Sequence, residues 1–562
     1  MSGKLFAVLI VLTAGNIASL AAEPFSTNVK IEPGWIKGEV KNEILAFKGI
    51  PYAAPPKGAK RWRPPQPVEH WPPGPEVRNT TAFGSVCLQM VSIVPLLVYD
   101  QKGDDNCLFL NVWRPAERKS ADERLPVLVW IHGGGYVIGG SNDPATGLSG
   151  VADGSELARQ GLVVVSINYR LGRFGFFAHP ALIEAQEDPP GYSGNFGLMD
   201  QTRALEWVQA NIRQFGGDPS QVTVVGESAG GVSVMHLLTS PKVKNLFHRI
   251  IVMSGGGRRA PLLRPMTGPA DAPSAAKIDA DFADKTLQIQ GRGPEALAAL
   301  RANADSDPSK FVQDVTFEIV VEKALIDNTQ SGTAMIDGKF VMGNPEDALC
   351  IGGAPKMPVI IGTVADDLPL FLPPKKSPND PDYPYSYFPD INEARTIYGK
   401  ELKDLGQDPK DSFNAMLEVG KDMTMHEPAH FVAKAMTAAG NFVWLYRFAY
   451  VATSDQVPDK PKVAWHSSEL PFLFQTLDKS KAMPADQTMA GSFSGYLANF
   501  AKSSTLNANG LSPWPVFDPD PSKFQLMHFM VDGQTKPDTE PRGSVALVEK
   551  VVRCLPGASI QR

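Results

Sequence analysis

Cysteine is scarce in this chain. Four occur in 562 residues: Cys87, Cys107, Cys350 and Cys554. They form no CxxC pair and no His/Cys cluster, so no metal site is spelled out, and neither a metal nor an organic cofactor is expected. Basic residues never collect into a run, and the formal net charge is -6. That balance excludes a partner held through its phosphate backbone, so no nucleic acid is expected. Long apolar runs are missing too. The run Leu5 to Leu12 near the amino terminus is too short to span a bilayer, and no later segment is apolar enough to be transmembrane, so stable membrane insertion is not expected. Internal repeats and low-complexity segments are also absent.

What the amino terminus does carry is an export pattern. Lys4 precedes the apolar run, and Ser19-Leu20-Ala21 supplies small residues where a signal peptidase reads. Residues 1–21 are expected to be a cleaved signal peptide, leaving residues 22–562 as a secreted or periplasmic protein. An oxidising compartment permits an even number of cysteines to pair, in any of three connectivities.

Hydrophobic residues make up 43% and charged residues 20% of the chain, the profile of a globular protein. Six short apolar runs read as strands buried on both faces: Val127 to Ile131, Leu162 to Ile167, Val222 to Val225, Ile250 to Met253, Val359 to Ile361 and Phe442 to Phe448. Helical patterns lie between them. Leu198 to Phe215 repeats apolar residues at helical spacing until Gly216-Gly217-Asp218-Pro219 stops it. Alternating strands and helices predict an α/β doubly wound fold with a mostly parallel sheet and helices on both faces. The stretch from about Pro265 to Ala348 is more helical and reads as an excursion from one α/β domain spanning 22–562.

Two motifs sit at strand ends. Gly226-Glu227-Ser228-Ala229-Gly230 follows the strand Val222 to Val225 and precedes a helical pattern, Val232 to Leu238. A G-x-S-x-G turn in that context presents a serine hydroxyl at the carboxyl end of the sheet, so Ser228 is the expected nucleophile. Upstream, His132-Gly133-Gly134-Gly135 follows the strand Val127 to Ile131. Glycines let backbone N–H groups approach a negative oxygen closely. The N–H groups of Gly134 and Gly135, with that of Ala229, are the expected oxyanion hole.

With these motifs in place, the chain resembles the type B carboxylesterase family, which includes cholinesterases and bacterial para-nitrobenzyl esterases. The resemblance runs through Phe47-Lys48-Gly49-Ile50-Pro51-Tyr52-Ala53, Asp105-Asn106-Cys107-Leu108-Phe109-Leu110-Asn111-Val112-Trp113, Asn168-Tyr169-Arg170-Leu171-Gly172, Asn195-Phe196-Gly197-Leu198-Met199-Asp200-Gln201 and Phe215-Gly216-Gly217-Asp218-Pro219. It weakens between about Arg258 and Leu349 and towards the carboxyl terminus. It implies an α/β-hydrolase fold and a serine hydrolase acting on small-molecule carboxylic esters.

A serine hydroxyl needs a base, and the base a third group to orient it. Of nine histidines, His466 sits in Trp465-His466-Ser467-Ser468-Glu469-Leu470-Pro471-Phe472, which is similar to the family's histidine segment. His132 belongs to the oxyanion loop, and His179, His236 and His248 read as structural. His70, His426, His430 and His528 have no motif context. The family's acid is a glutamate followed by glycine, just after a strand ending in Gly-Thr or Gly-Val. Here Gly362-Thr363-Val364-Ala365-Asp366-Asp367-Leu368 puts Asp367 in register, one methylene shorter, with Asp366 as its competitor. The resemblance also implies that Ser254 and Glu469 support the site from behind the histidine, that Cys87 pairs with Cys107, and that Arg61 and Asp105 form an ion pair beside that loop. Asn106 stands where the family has an aspartate. Cys350 and Cys554 are left, either as a second pair or as free thiols.

The Cys87 to Cys107 loop has no tryptophan to hold a quaternary ammonium by cation–π attraction, so choline esters are not the expected substrate. The loop is also short, which disfavours a large lipase flap, and a moderately sized soluble ester fits better. Arg258, Arg259 and Arg264 follow Ser254-Gly255-Gly256-Gly257. By default they are solvated charges, and the functional reading has one or more selecting anionic esters. An amidase or thioesterase would use the same triad. A non-catalytic adhesion-type relative would have lost the serine that this chain keeps.

Overall fold

The computed structural model describes residues 23–69, 77–94, 98–141, 152–185, 194–256, 263–269, 273–316, 330–369, 380, 382–456, 462–503, 505–507, 510–538 and 542–552. The expected signal peptide, His70, Arg258, Arg259 and Cys554 lie outside them.

Among the described residues, eleven strands make one mixed sheet. In chain order they are β1 (Glu39–Lys41), β2 (Ile44–Pro51), β3 (Phe109–Pro115), β4 (Leu125–Ile131), β5 (Val163–Ile167), β6 (Gly217–Glu227), β7 (Arg249–Met253), β8 (Val359–Val364), β9 (Val443–Phe448), β10 (Leu526–Phe529) and β11 (Thr535–Asp538). Across the sheet they run β11-β10-β9-β8-β7-β6-β4-β5-β3-β2-β1. Pairing is parallel without a break from β5 to β10. The edges are antiparallel: β1, β2 and β3 close one side and β11 the other.

The six apolar runs of the sequence form β4 to β9, and they do so because the sheet is covered on both faces. In β4, Val127, Val129 and Ile131 belong to one apolar cluster while Leu128 and Trp130 belong to another. Successive side chains of a strand point to opposite faces, so a strand buried twice has no polar alternation to show. Helix α1 (Phe196–Asn211) and helix α2 (Ala229–Thr239) cover the first face, with Leu205, Val234 and Leu237 in its cluster. The excursion supplies α3 (Ala275–Leu287) and α4 (Pro294–Ser306), whose Phe282 and Leu300 join the same cluster. A later helix, α5 (Pro484–Ser503), covers the second face with Phe493 and Leu497. Each such buried side chain contributes roughly 2 kcal/mol of burial free energy before entropy is counted. Among the described residues no helix is long and apolar enough to cross a membrane.

Cys87 and Cys107 are joined, and Cys350 is also disulfide-bonded. Arg61 pairs with Asp105 at 2.6 Å, as expected, and with Asp305 at 2.5 Å. Asp305, at the end of α4, thus gives Arg61 a second carboxylate although position 106 is an asparagine.

Candidate active site

Ser228 stands between β6 and α2 at φ 55°, ψ −127°, a backbone region that costs a non-glycine residue about 1–3 kcal/mol. Two glycines make the turn tight enough. A Cβ on Gly226 would lie 2.3 Å from the Gly230 carbonyl oxygen, and one on Gly230 would lie 2.2 Å from that of Ile131. The turn is pinned by the Ser228 N–H, which donates to the Met253 carbonyl at 2.9 Å.

The glycine loop after β4 packs directly against this elbow. A Cβ on Gly133 would sit 2.8 Å from the Glu227 carbonyl oxygen and 2.9 Å from Ser228 Cβ. Gly134 is at φ 97°, which a side chain would resist. Among the described residues, no hydrogen bond occupies the N–H groups of Gly134, Gly135 or Ala229. The loop is braced from below. His132 stacks on Tyr169 at 4.3 Å between ring centres, and the Tyr169 hydroxyl donates to the His132 carbonyl at 2.9 Å. Burial holds the His132 imidazole down to about 4, so it stays neutral.

Asp367 and His466 meet next to Glu227, the residue before the serine. Asp367 Oδ1 lies 2.5 Å from His466 Nδ1, and Ser254 Oγ donates to Asp367 Oδ2 at 2.6 Å. Asp366 turns away. Its carboxylate pairs with Lys421, and its N–H donates to the Ala464 carbonyl at 2.9 Å. Ser254 thus bonds to Asp367, whereas the resemblance put it behind the histidine. Glu469 is fully buried, and neither of its carboxyl oxygens finds a hydrogen-bond partner among the described residues.

His466 Nε2 lies 3.2 Å from Glu227 Oε1 without hydrogen-bond alignment, and among the described residues it makes no bond to Ser228 Oγ. Such base–nucleophile bonds are often long without substrate and tighten in the complex. Burial opposes the charged imidazolium, but Glu227 and then Asp367 outweigh it and lift His466 to about 9. Burial also pushes Glu227 up to about 7 against the pull of His466. Glu469 is pushed well above the usual glutamate value by burial and then by Glu227. Asp367 stays below the usual carboxylate range: burial works against this, and the His466 charge prevails.

Two residues that the sequence left unassigned also belong here. Glu227, one of the two variable positions of the pentapeptide, faces His466, and Ser467 Oγ donates to it at 2.6 Å. No local pattern marks a contact 240 residues apart. Arg264 is a correction. It is buried rather than solvated, and it lies on a short strand paired with Met335–Ile336, where its charge, like that of Arg173, works against the burial that raises Asp279 to about 6. It lines a small cavity with Phe176, Ile278, Asp279 and Ser331, none of them a triad or oxyanion-loop residue. His179 Nδ1 and His248 Nδ1 accept backbone N–H bonds and His236 is buried, the structural places expected of all three.

A carboxylesterase family model matches residues 26–540. The chain belongs to the carboxylesterase family. It is 33% identical over 533 residues to a para-nitrobenzyl esterase of Bacillus subtilis, covering 92% of this chain and 97% of that one. It is 31% identical over 500 residues to a fumonisin B1 esterase of Sphingopyxis macrogoltabida, covering 87% and 84%. A solved PNB esterase superposes with a TM-score of 0.72 at 29% identity, over 94% of this chain and all of that one. A carboxylesterase of Geobacillus stearothermophilus superposes with a TM-score of 0.69 at 28% identity, over 93% and 99%. The enzyme is a carboxylic-ester hydrolase, and its fold is that of the α/β-hydrolases.

Proposed function

We propose that the enzyme is a secreted serine esterase that works through an acyl-enzyme. His466 takes the Ser228 proton on Nε2 as Oγ attacks the ester carbonyl. The N–H groups of Gly134, Gly135 and Ala229 receive the oxyanion. Asp367 holds Nδ1 and offsets the charge that His466 acquires. The alcohol then leaves with the proton from Nε2, and water attacks the acyl-enzyme with the same groups in the same roles. The observation that carries the reading is the 2.5 Å contact of Asp367 with His466, beside a serine whose strained elbow touches a glycine loop with unspent N–H groups.

The substrate read from the Cys87 to Cys107 loop is a moderately sized soluble ester without a quaternary ammonium. The test is covalent labelling by an organophosphate. Ser228→Ala is expected to abolish both labelling and hydrolysis. Labelling that persists at another serine overturns the assignment.

A further inference from the structure

An aspartate in place of glutamate shortens the acid by one methylene, so the backbone that carries it must come closer to His466. Something must keep it there. The segment from Val364 to Leu368 is gripped residue by residue. The Ala365 N–H donates to the Phe448 carbonyl at 2.7 Å, and the Ala365 carbonyl accepts from Arg447 Nη2 at 3.3 Å. The other three holds come from a single turn of helix. Lys421 Nζ pairs with the Asp366 carboxylate. Thr424 Oγ1 sits 2.9 Å from the Leu368 carbonyl, sharing its hydrogen with the Gly420 carbonyl at 2.7 Å. His426 Nε2 lies 3.1 Å from the Val364 carbonyl, which can only accept, so the ring carries a proton there. Its Nδ1 faces Asp422 Oδ1 at 2.8 Å and Arg542 Nη1 at 3.3 Å.

That turn is not an α-helix. Residues Asp422–His426 are π-helical, and the Glu427 N–H reaches back five residues to the Asp422 carbonyl. In an α-helix, residues five apart are rotated by about 140°. Closing i to i+5 brings Lys421 and His426 nearer to one side. The widened turn is what lets both side chains face the same loop.

We propose that Lys421, Thr424 and His426, gathered by the π-turn, are positioning residues that hold the acid loop close enough for an aspartate to reach His466. This rests on the reading of Asp367 as the triad acid. The clamp acts on geometry and touches no substrate, so its loss falls on kcat and leaves KM within about twofold.

The experiment compares His426→Phe and Thr424→Val, singly and together, in the full-length enzyme, with active sites counted by organophosphate titration so that only folded enzyme is scored. Displacing a group near the chemistry by an ångström costs about 10²-fold, and a kcat loss of that order is expected for the double variant. His426→Gln, which keeps an N–H donor, is expected to recover most of it. The deciding arm adds Asp367→Glu. In the intact enzyme the longer acid is too long and lowers kcat. In the clamp-cut enzyme it bridges the widened gap and raises kcat above the clamp-cut parent. A glutamate that fails to raise kcat there, or an unchanged kcat on cutting the clamp, overturns the proposal. If the double variant yields no titratable sites, the same comparison on Thr424→Val alone decides. Full activity in Asp367→Asn would instead refute the triad reading, whatever the clamp variants do.

Discussion

Two clusters of buried charge lie one behind the other in this enzyme, and they are balanced in opposite ways. The rear cluster holds Asp422, Glu418 and Glu401 against Arg542 and Lys421. Arg542 reaches Glu401 at 2.5 Å, Glu418 at 3.3 Å and Asp422 at 3.4 Å, and Lys421 reaches Glu418 at 2.7 Å. Burial alone would raise Asp422, but Arg542 and His426 carry it far below the usual carboxylate range. The front cluster holds three carboxylates, Glu227, Asp367 and Glu469, with His466 as the cation set directly against them and His426 acting on Asp367 from the rear. Glu227 and Glu469 are accordingly raised. The desolvation cost is of the same kind in both places; the supply of cations differs. Perturbed carboxyls without counter-charges are what a site needs if positive charge is to appear there during the reaction.

The comparison can be broken most sharply at the acid. Asp367→Asn should lower kcat by about 10⁴-fold, whereas Asp366→Asn, whose amide oxygen can still accept from Lys421, should cost less than about tenfold; steady-state hydrolysis of a p-nitrophenyl ester measures both. The opposite ranking would move the front cluster's centre to the wrong carboxylate. Next comes the rear cluster. Arg542→Met removes the cation that three carboxylates share and should cost roughly 3 kcal/mol in urea unfolding; an unchanged midpoint would show that those pairs contribute nothing net.

A subtler effect is expected at Glu227. Its negative charge favours the imidazolium, so Glu227→Gln should lower the pKa of His466. Neutral base then persists to lower pH, and the acid limb of the kcat/KM profile should move towards acid. A limb that stays put or moves towards alkali would mean that Glu227 does not act on His466. Smallest of all is Glu469→Gln. The folded chain keeps a proton on Glu469 that the unfolded chain releases above the ordinary glutamate value, so stability falls as pH rises past that value. Glutamine removes that slope, so the variant should gain on the parent steadily from pH 5 to pH 8 in thermal unfolding; a gain that does not change with pH would mean that Glu469 holds no extra proton in the folded chain.

The same contrast explains what was legible beforehand. Strands β4 to β9 could be read because burial on both faces removes polar residues from them. The edge strand β1 is Glu39-Val40-Lys41, exposed throughout, and its composition carries no strand signal. Ser228 was legible because its elbow is local: a strand, two glycines and a helix within a few residues. Asp367 was legible only by register from β8, and its competitor Asp366 was separated from it by contacts with Lys421 and Ala464 that no sequence pattern displays. Glu227, Ser467, Thr424 and His426 act through tertiary contacts alone. Arg264 misled because its isolated charge has a solvated default, whereas its strand pairs it into the core near Asp279.

The order of strands in the sheet also governs how the enzyme comes into being. Growing chain lays down β1 to β3 at one edge and β10 and β11 at the other, with the catalytic middle assembled between them. Ser228 and its glycine loop are complete once β7 is made, and Asp367 follows with β8. His466 arrives only after β9, nearly a hundred residues later. If Ser228 is the nucleophile and His466 its base, as proposed, a nascent chain carries the serine for much of its synthesis without the imidazole that would activate it, and hydrolysis can begin only when the last third of the chain docks.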